Sequence, residues 1–353
     1  MPDLKSELIA MIKAQGPLSI AAFFTECLLH PKFGYYTTRD PFGARGDFTT
    51  APEISQMYGE MLGLFLAQTW RDQGSVAAFN LVELGPGRGT LMADILRATR
   101  AVAGFHSALQ LHLIEASPTL QARQAKTLGT FKPRWHTQLD TLPQGPLFLV
   151  ANEFFDALPI RQFIRDGQQW RERCVTFSGE DLIYALTEAA PHATLAYRLA
   201  DTKQGDLVET CAPAQAIVQG IGHSITQHGG VALIVDYGNW RSLGDTLQSV
   251  QSHQSVAPLS HPGLADLSAH VDFEALAKAC SAAYTQPTDQ GIFLERLGIT
   301  PRANQLAKSL QGSALTSHIA AHHRLTHHSE MGTLFKALGL FPTSAPPPPG
   351  LDL

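Results

Sequence analysis

"LVELGPGRGT", residues 81–90, decides the fold of this chain. An apolar run entering from Phe79 ends at Glu83 and Leu84. Gly85, Gly87 and Gly89 then occupy alternate positions ahead of a helical stretch over 90–103. Strand, glycine turn and helix in that order open a doubly wound α/β fold, in which glycine lets the backbone approach a bound group and the helix start favours electron-rich atoms. The spacing separates two kinds of turn. A dinucleotide fingerprint requires G-x-G-x-x-G, whereas here the third glycine follows the second by two residues, and an acidic residue, Glu83, precedes the first by two.

The pattern continues outward from this turn. "LQLHLIEA" reads as a second strand ending in Glu115, followed by a helix over 117–128, and "PLFLVAN" and "GVALIVDYG" are short continuous apolar runs of the kind buried on both faces of a parallel sheet. Glu83-Leu84-Gly85-Pro86-Gly87-Arg88-Gly89 is the turn of S-adenosylmethionine (SAM) methyltransferases, with no pyrophosphate to cradle, and Glu115 stands where an acceptor for both ribose hydroxyls is expected. The predicted fold is α/β, a Rossmann-like class I SAM methyltransferase core with a helical N-terminal extension and an inserted hairpin and helical cap. Glu83, Gly85, Gly87, Gly89 and Glu115 are its cofactor-binding candidates.

Residues 1–75 read as the helical extension with a GDFTTAPE loop, and 76–165 with 205–240 as the SAM-binding core. Residues 166–204, with turns at Asp166-Gly167 and Ser178-Gly179, read as inserted antiparallel hairpins. An accessory cap and C-terminal part over 241–341 and a proline-rich tail over 342–353 complete the division. The formal net charge of −5 offers no footprint for nucleic acid. No apolar window is long enough for a membrane span, and the first residues lack the pattern of a signal or transit peptide, so a cytoplasmic protein is expected. Cys27, Cys174, Cys211 and Cys280 form no CxxC pair and read as reduced thiols. The histidines at 318, 322, 323, 327 and 328 include i,i+4 pairs but lack a completing cysteine or carboxylate, so a solvated helix face and no metal are expected.

Taken together, "GPLSIAAFFTECLLHPKFGYY", "GDFTTAPEISQMYGEMLG", "LVELGPGRGTLMADILR", "NEFFDALPIRQF", "LIVDYG", "GDTLQ", "DLSAHVDF" and "MGTLFKALGL" resemble the MidA-like methyltransferases. The mitochondrial members of that family are complex I assembly factors that symmetrically dimethylate an arginine of a core subunit. The resemblance implies SAM as cofactor and a protein substrate, here the equivalent NADH–quinone oxidoreductase subunit. A small-molecule methyltransferase and a non-catalytic assembly chaperone retaining a SAM pocket are the alternatives, and the glycine spacing disfavours an NAD-dependent oxidoreductase.

An arginine acceptor is cationic and must shed a proton as it gains a methyl, which asks for carboxylates beside it. "VANEFFDALP" supplies Asn152, Glu153 and Asp156 where many N-methyltransferases carry an Asn/Asp-Pro-Pro-aromatic loop, with Phe154 and Phe155 in place of that pattern. Glu153 is the expected guanidinium anchor and Asp156 a second candidate; a cap at Asp156 and core packing of the phenylalanines are the plainer alternatives. In "RGDFTTAPE", Asp47, Thr50 and Glu53 are candidates to close over SAM or reach the acceptor, while Thr50 and Glu53 also have the spacing of a helix capping box. Asp266, His270 and Asp272 in "DLSAHVDF" admit a general base or a packed histidine, and Asp236 ends a core strand without a defined role.

Overall fold

A computed structural model describes residues 3–38 and 50–353; Asp47 and the rest of 39–49 lie outside the described residues. The chain forms two compact units. One comprises Met1–Phe48, Asp156–Ala214 and Arg241–Asp272, the other Thr49–Phe155, Gln215–Trp240 and Phe273–Leu353.

The second unit is built on a sheet of β1 (Phe79–Leu84), β2 (Leu109–Ile114), β3 (Arg134–His136), β4 (Leu147–Asn152), β5 (Gly230–Asn239) and β6 (Phe335–Phe341), in the spatial order β6-β5-β4-β1-β2-β3. Strands β1 to β5 are parallel and β6 runs antiparallel to β5. All six residues of β1 are buried, because it is central and covered on both faces. Helices α1 (Gln56–Asp72), α2 (Thr90–Ala98), α3 (Pro118–Leu128) and α4 (Ala212–His228) follow from 3.6-residue apolar spacing. Met57, Met61 and Phe65 of α1 pack with Leu91, Ile95, Phe148 and Val150 in one apolar core. Phe79 packs tilted against Phe148, with ring centroids 4.8 Å apart.

Three departures from the sequence reading have physical causes. Phe335–Phe341, expected within an accessory C-terminal part, is a strand of the core sheet paired with β5 over six residues, with Ala337, Leu338 and Leu340 fully buried. A short apolar run does not reveal whether it is strand or helix, and its partner lies about a hundred residues earlier in the chain. Arg161–Asp166, placed by sequence in the SAM-binding core, is instead a strand of the hairpin sheet, because its polar/apolar alternation matches Gln169–Ser178 and Leu207–Thr210. Within the helical extension the apolar spacing runs unbroken from Ile54 through Leu66, yet the chain there forms two helices, Ala51–Ile54 and α1, broken at Ser55; its backbone is extended and its hydroxyl accepts from Met57 N–H at 3.2 Å.

The first unit packs helices Leu4–Gln15 and Ile20–Leu29 on an antiparallel sheet ordered Leu18–Ser19, Gln169–Ser178, Arg161–Asp166, Leu207–Thr210, with Asp181–Leu186 also paired to Gln169–Ser178. Ser19 caps its helix through Ala22 N–H at 3.1 Å. Gly167 and Gly179 take the left-handed conformation, φ 60° at each, that the Asp-Gly and Ser-Gly turns require. Leu8, Phe23, Phe24 and Tyr35 form the heart of this unit's core. All four cysteines are free thiols.

Candidate functional site

In the sheet unit the strand order reverses between β1 and β4, whose carboxyl ends carry the glycine turn and Glu153. Open α/β sheets bind ligands at this switch point. Gly85, Gly87 and Gly89 all have positive φ (61°, 51° and 79°), so the turn needs glycine for its backbone alone. At Gly85 space is also short: a Cβ there would lie 2.8 Å from Phe154 Cδ2.

Two carboxylates end the neighbouring strands. Glu83 is buried and its Oε2 has no hydrogen-bond partner. Burial and then the charge of Glu115 push its carboxyl up to about 8. An acid buried with an orphaned oxygen waits for a donor, and an ammonium brought by a ligand would supply both charge and hydrogen bond. Glu115 keeps a partner on each oxygen: Ser117 N–H at 2.8 Å and Gln124 Nε2 at 3.1 Å. Burial raises its proton affinity while these two bonds oppose the rise.

Thr50 and Glu53 belong to the same unit. Thr50 is the N-cap residue of Ala51–Ile54, but its side chain makes no cap bond. Glu53 turns instead to α2, accepting from Thr90 Oγ1 at 2.6 Å, with Arg88 Nη1 at 3.9 Å. The capping-box spacing is present without the box, and the segment is tied to the helix that follows the glycine turn.

Beyond β4, Glu153 holds φ at 50°, a left-handed conformation uncommon for a glutamate, and its N–H donates to the Val235 carbonyl at 2.9 Å. Its Oε1 accepts from Ala51 N–H at 2.9 Å and from Asn152 Nδ2 at 3.1 Å. Asn152 Oδ1 in turn accepts from the Tyr58 hydroxyl. Tyr58 is fully buried; burial, then the charges of Glu153 and Asp236, hold its proton well above the ordinary phenol range, so it stays a donor. Asp236, expected from sequence to end its strand, instead lies fully buried within β5, just past the pairing with β4; it accepts from Phe155 N–H and Tyr237 N–H, each at 2.9 Å, and so shapes the loop carrying Glu153. Tyr58 was not singled out from the sequence: as a core-spaced residue of an amphipathic helix it gives no local sign of its hydroxyl's partner.

Comparison with known proteins fits this geometry. Residues 61–289 match the family described as "Putative S-adenosyl-L-methionine-dependent methyltransferase". The Danio rerio "Protein arginine methyltransferase NDUFAF7, mitochondrial" is 36% identical, covering 97% of this chain and 87% of its own. The Homo sapiens protein of the same name is 35% identical over 95% of this chain and 82% of its own. A solved structure from Burkholderia thailandensis bound to S-adenosyl-homocysteine (SAH) superposes with a TM-score of 0.81 at 28% identity, covering 98% of this chain and 93% of that one.

The chain belongs to this methyltransferase family. Its fold is the α/β fold of SAM methyltransferases, and its cofactor is SAM. The residues suit that cofactor: an orphaned buried carboxylate, a second carboxylate with lone pairs to spare, and a turn in a backbone conformation that only glycine adopts freely.

In the methyltransferase the remaining candidates have contacts of their own. Asp156 lies in the hairpin unit, where its carbonyl accepts from Ala269 N–H at 3.0 Å. Burial, then the charges of Asp266 and Asp156, drive the Tyr36 phenol well above its usual range there. In the same unit His270 N–H donates to Thr246 Oγ1 at 2.8 Å, and burial lowers the pKa of the imidazole. In the sheet unit His318 and His322 bond Ala303 O (3.0 Å) and Thr300 Oγ1 (2.9 Å), so these two face a neighbouring helix rather than solvent. Among the described residues no group of three or more His, Cys, Asp or Glu is arranged to hold a metal ion, and no helix is long and apolar enough to cross a membrane. A cavity of ≈ 540 Å³ lined by Asn80, Leu147, His223 and Gln227 opens at the amino ends of β1 and β4, away from the glycine turn.

Proposed function

We propose that this methyltransferase methylates the guanidinium of an arginine in a protein acceptor, a core subunit of respiratory complex I (NADH–quinone oxidoreductase), and dimethylates it in support of assembly. The observation that carries the arginine is Glu153, a carboxylate held in a left-handed backbone conformation at the switch point and fixed by Ala51 N–H and by the Tyr58–Asn152 pair. Backbone strain of this kind costs about 1–3 kcal/mol and persists where the surroundings over-determine it, often at functional sites. The relatives named as protein arginine methyltransferases support the same acceptor. The resemblance to the MidA-like family extends it to complex I.

In this reading Glu83, Glu115, the three glycines, Thr50 and Glu53 hold the cofactor, which when bound supplies an electrophilic methyl on a sulfonium. Glu153 pairs with the guanidinium, aligns its nitrogen for in-line attack and draws off positive charge as the N–C bond forms. The proton displaced from that nitrogen passes to Glu153 or to solvent. Asn152, donating to Oε1, holds the Glu153 carboxylate in place.

Labelled SAM added with the purified protein to a lysate of cells lacking it tests the reading. A labelled band at the size of a complex I core subunit, with label recovered in methylated arginine and absent with a Gly87→Val control, is expected. Label confined to small molecules, or a preparation that binds SAM and transfers nothing, overturns it.

A further inference from the structure

Gln124 is fully buried in α3, and its amide is engaged at both ends. Nε2 donates to the Gly87 carbonyl at 2.9 Å and to Glu115 Oε2 at 3.1 Å, and Oε1 accepts the Trp135 indole N–H at 2.8 Å. The partners settle the amide's orientation. An indole only donates, and a carbonyl and an ionised carboxylate only accept, so turning the amide over would set like against like at all three contacts. One side chain thereby ties the middle of the glycine turn, the carboxylate beyond β2 and strand β3 together. Its stem also packs on the turn: a Cβ on Gly89 would lie 3.6 Å from Gln124 Cγ.

We propose that Gln124 is a positioning residue for the ribose of the cofactor, holding the Glu115 carboxylate in the rotamer that accepts the ribose hydroxyls and in register with the glycine turn. The proposal rests on Glu115 being the ribose acceptor. Ser117 N–H donates to Oε1 and Gln124 Nε2 to Oε2, with Ala116 N–H as a further backbone donor, and a carboxylate's four lone-pair directions leave room for a ligand. These internal bonds decide where those directions point. Without Gln124 only backbone donors of the adjacent turn, Ser117 N–H and Ala116 N–H, would hold the carboxylate, and nothing would tie it to the glycine turn. The amide also opposes the rise in Glu115's proton affinity that burial causes, which keeps the group an acceptor.

The test is calorimetric titration of the full-length, ligand-free protein with SAH and with its 2′-deoxy counterpart. The unmodified protein should prefer SAH by about tenfold or more, as expected for a hydrogen bond to a charged group. Gln124→Leu should weaken SAH binding by about tenfold and shrink that preference to about twofold or less, the non-additivity expected of groups acting through one another. Trp135→Phe, which retains Gln124 but leaves its Oε1 without the indole donor, should give an intermediate preference. A residue that merely supports the fold would weaken both ligands equally, so the original preference persisting in both variants overturns the proposal. If Gln124→Leu does not fold, Trp135→Phe alone decides on the same criterion. Loss of the underlying assignment looks different: the unmodified protein shows no preference and Glu115→Gln binds SAH normally.

Discussion

At the scale of single residues, two glutamates of the sheet unit have opposite electrostatic situations. Glu153 is anchored by donors from Ala51 and Asn152, and the proposed function gives it a cation to bind. Glu153→Gln keeps the shape and loses the charge; we expect labelled-methyl transfer to fall by at least about a hundredfold with SAH affinity changed less than about twofold. Full turnover in that variant would remove Glu153 from the acceptor site. Glu83, by contrast, is buried without a partner on Oε2 and holds its proton up to about 8. Between the ordinary 4.5 and about 8 the folded chain keeps a proton that the unfolded chain has released. Stability of the ligand-free protein therefore falls as pH rises through that window, by at most about 1.4 kcal/mol per pH unit for one proton. Glu83→Gln should remove this slope, so denaturant unfolding at pH 5 and pH 8 should show a smaller loss than in the parent. An unchanged slope would show that Glu83 is not the group responsible.

At the scale of elements, the glycine turn is aimed by the helices behind it. Gly59 and Gly63 of α1 face α2 so closely that a Cβ on Gly59 would meet Asp94 Cβ at 2.5 Å and one on Gly63 would meet the Ile95 carbonyl at 3.1 Å. Helix propensity counts both glycines as losses, yet here they set how near α2, and the turn at its start, can come to α1. Gly59→Ala should therefore cost about 1–3 kcal/mol by overpacking despite the better helix former, and weaken SAH binding because α2 is displaced. A thermal melt that rises instead would mean the helices can separate without disturbing the turn. Most of these elements were legible in sequence. Strands β1, β2, β4 and β5 and helices α1 to α3 show in apolar runs and 3.6-residue spacing, and the Asp-Gly and Ser-Gly turns announce their hairpins. The break at Ser55 was not legible, because the apolar spacing continues through it.

At the scale of the whole molecule, sequence order and spatial grouping diverge. Strand β6 closes the sheet beside β5, and Leu338 within it is fully buried. Leu338→Ala should destabilise by about 2–5 kcal/mol, read as a lower denaturant midpoint with diminished SAH binding, although the residue lies far along the chain from every cofactor-binding candidate. A midpoint shift below about 0.5 kcal/mol, the range of ordinary surface changes, would place the strand outside the cooperative sheet. Glu60 is a second long-range tie. Burial works against its charge, but hydrogen bonds from Arg302 and Arg97 outweigh this and hold its carboxyl below the usual range. Arg302, from helix Ile299–Ala307, bonds it at 2.7 Å, as does Arg97 of α2. The candidate site shows the same divergence. Glu83, the glycines, Glu115, Asn152 and Glu153 were legible because each ends a strand or follows one. Tyr58, Gln124 and the role of Asp236 were not, since a side chain's hydrogen-bond partner on another element leaves no trace in local spacing.

By itself the amino-acid sequence determined the α/β class, the SAM-type turn and the acidic residues at the ends of β1, β2 and β4, because those depend on periodicity and on backbone conformations that only glycine adopts freely. Tertiary structure alone decided that β6 completes the sheet, that Asp156 falls in the hairpin unit while Glu153 does not, and that Gln124 and Tyr58 stand behind the two carboxylates. Those outcomes depend on contacts between residues distant in sequence. Such contacts are selected by burial and hydrogen-bond satisfaction in three dimensions, and no window along the chain contains both partners.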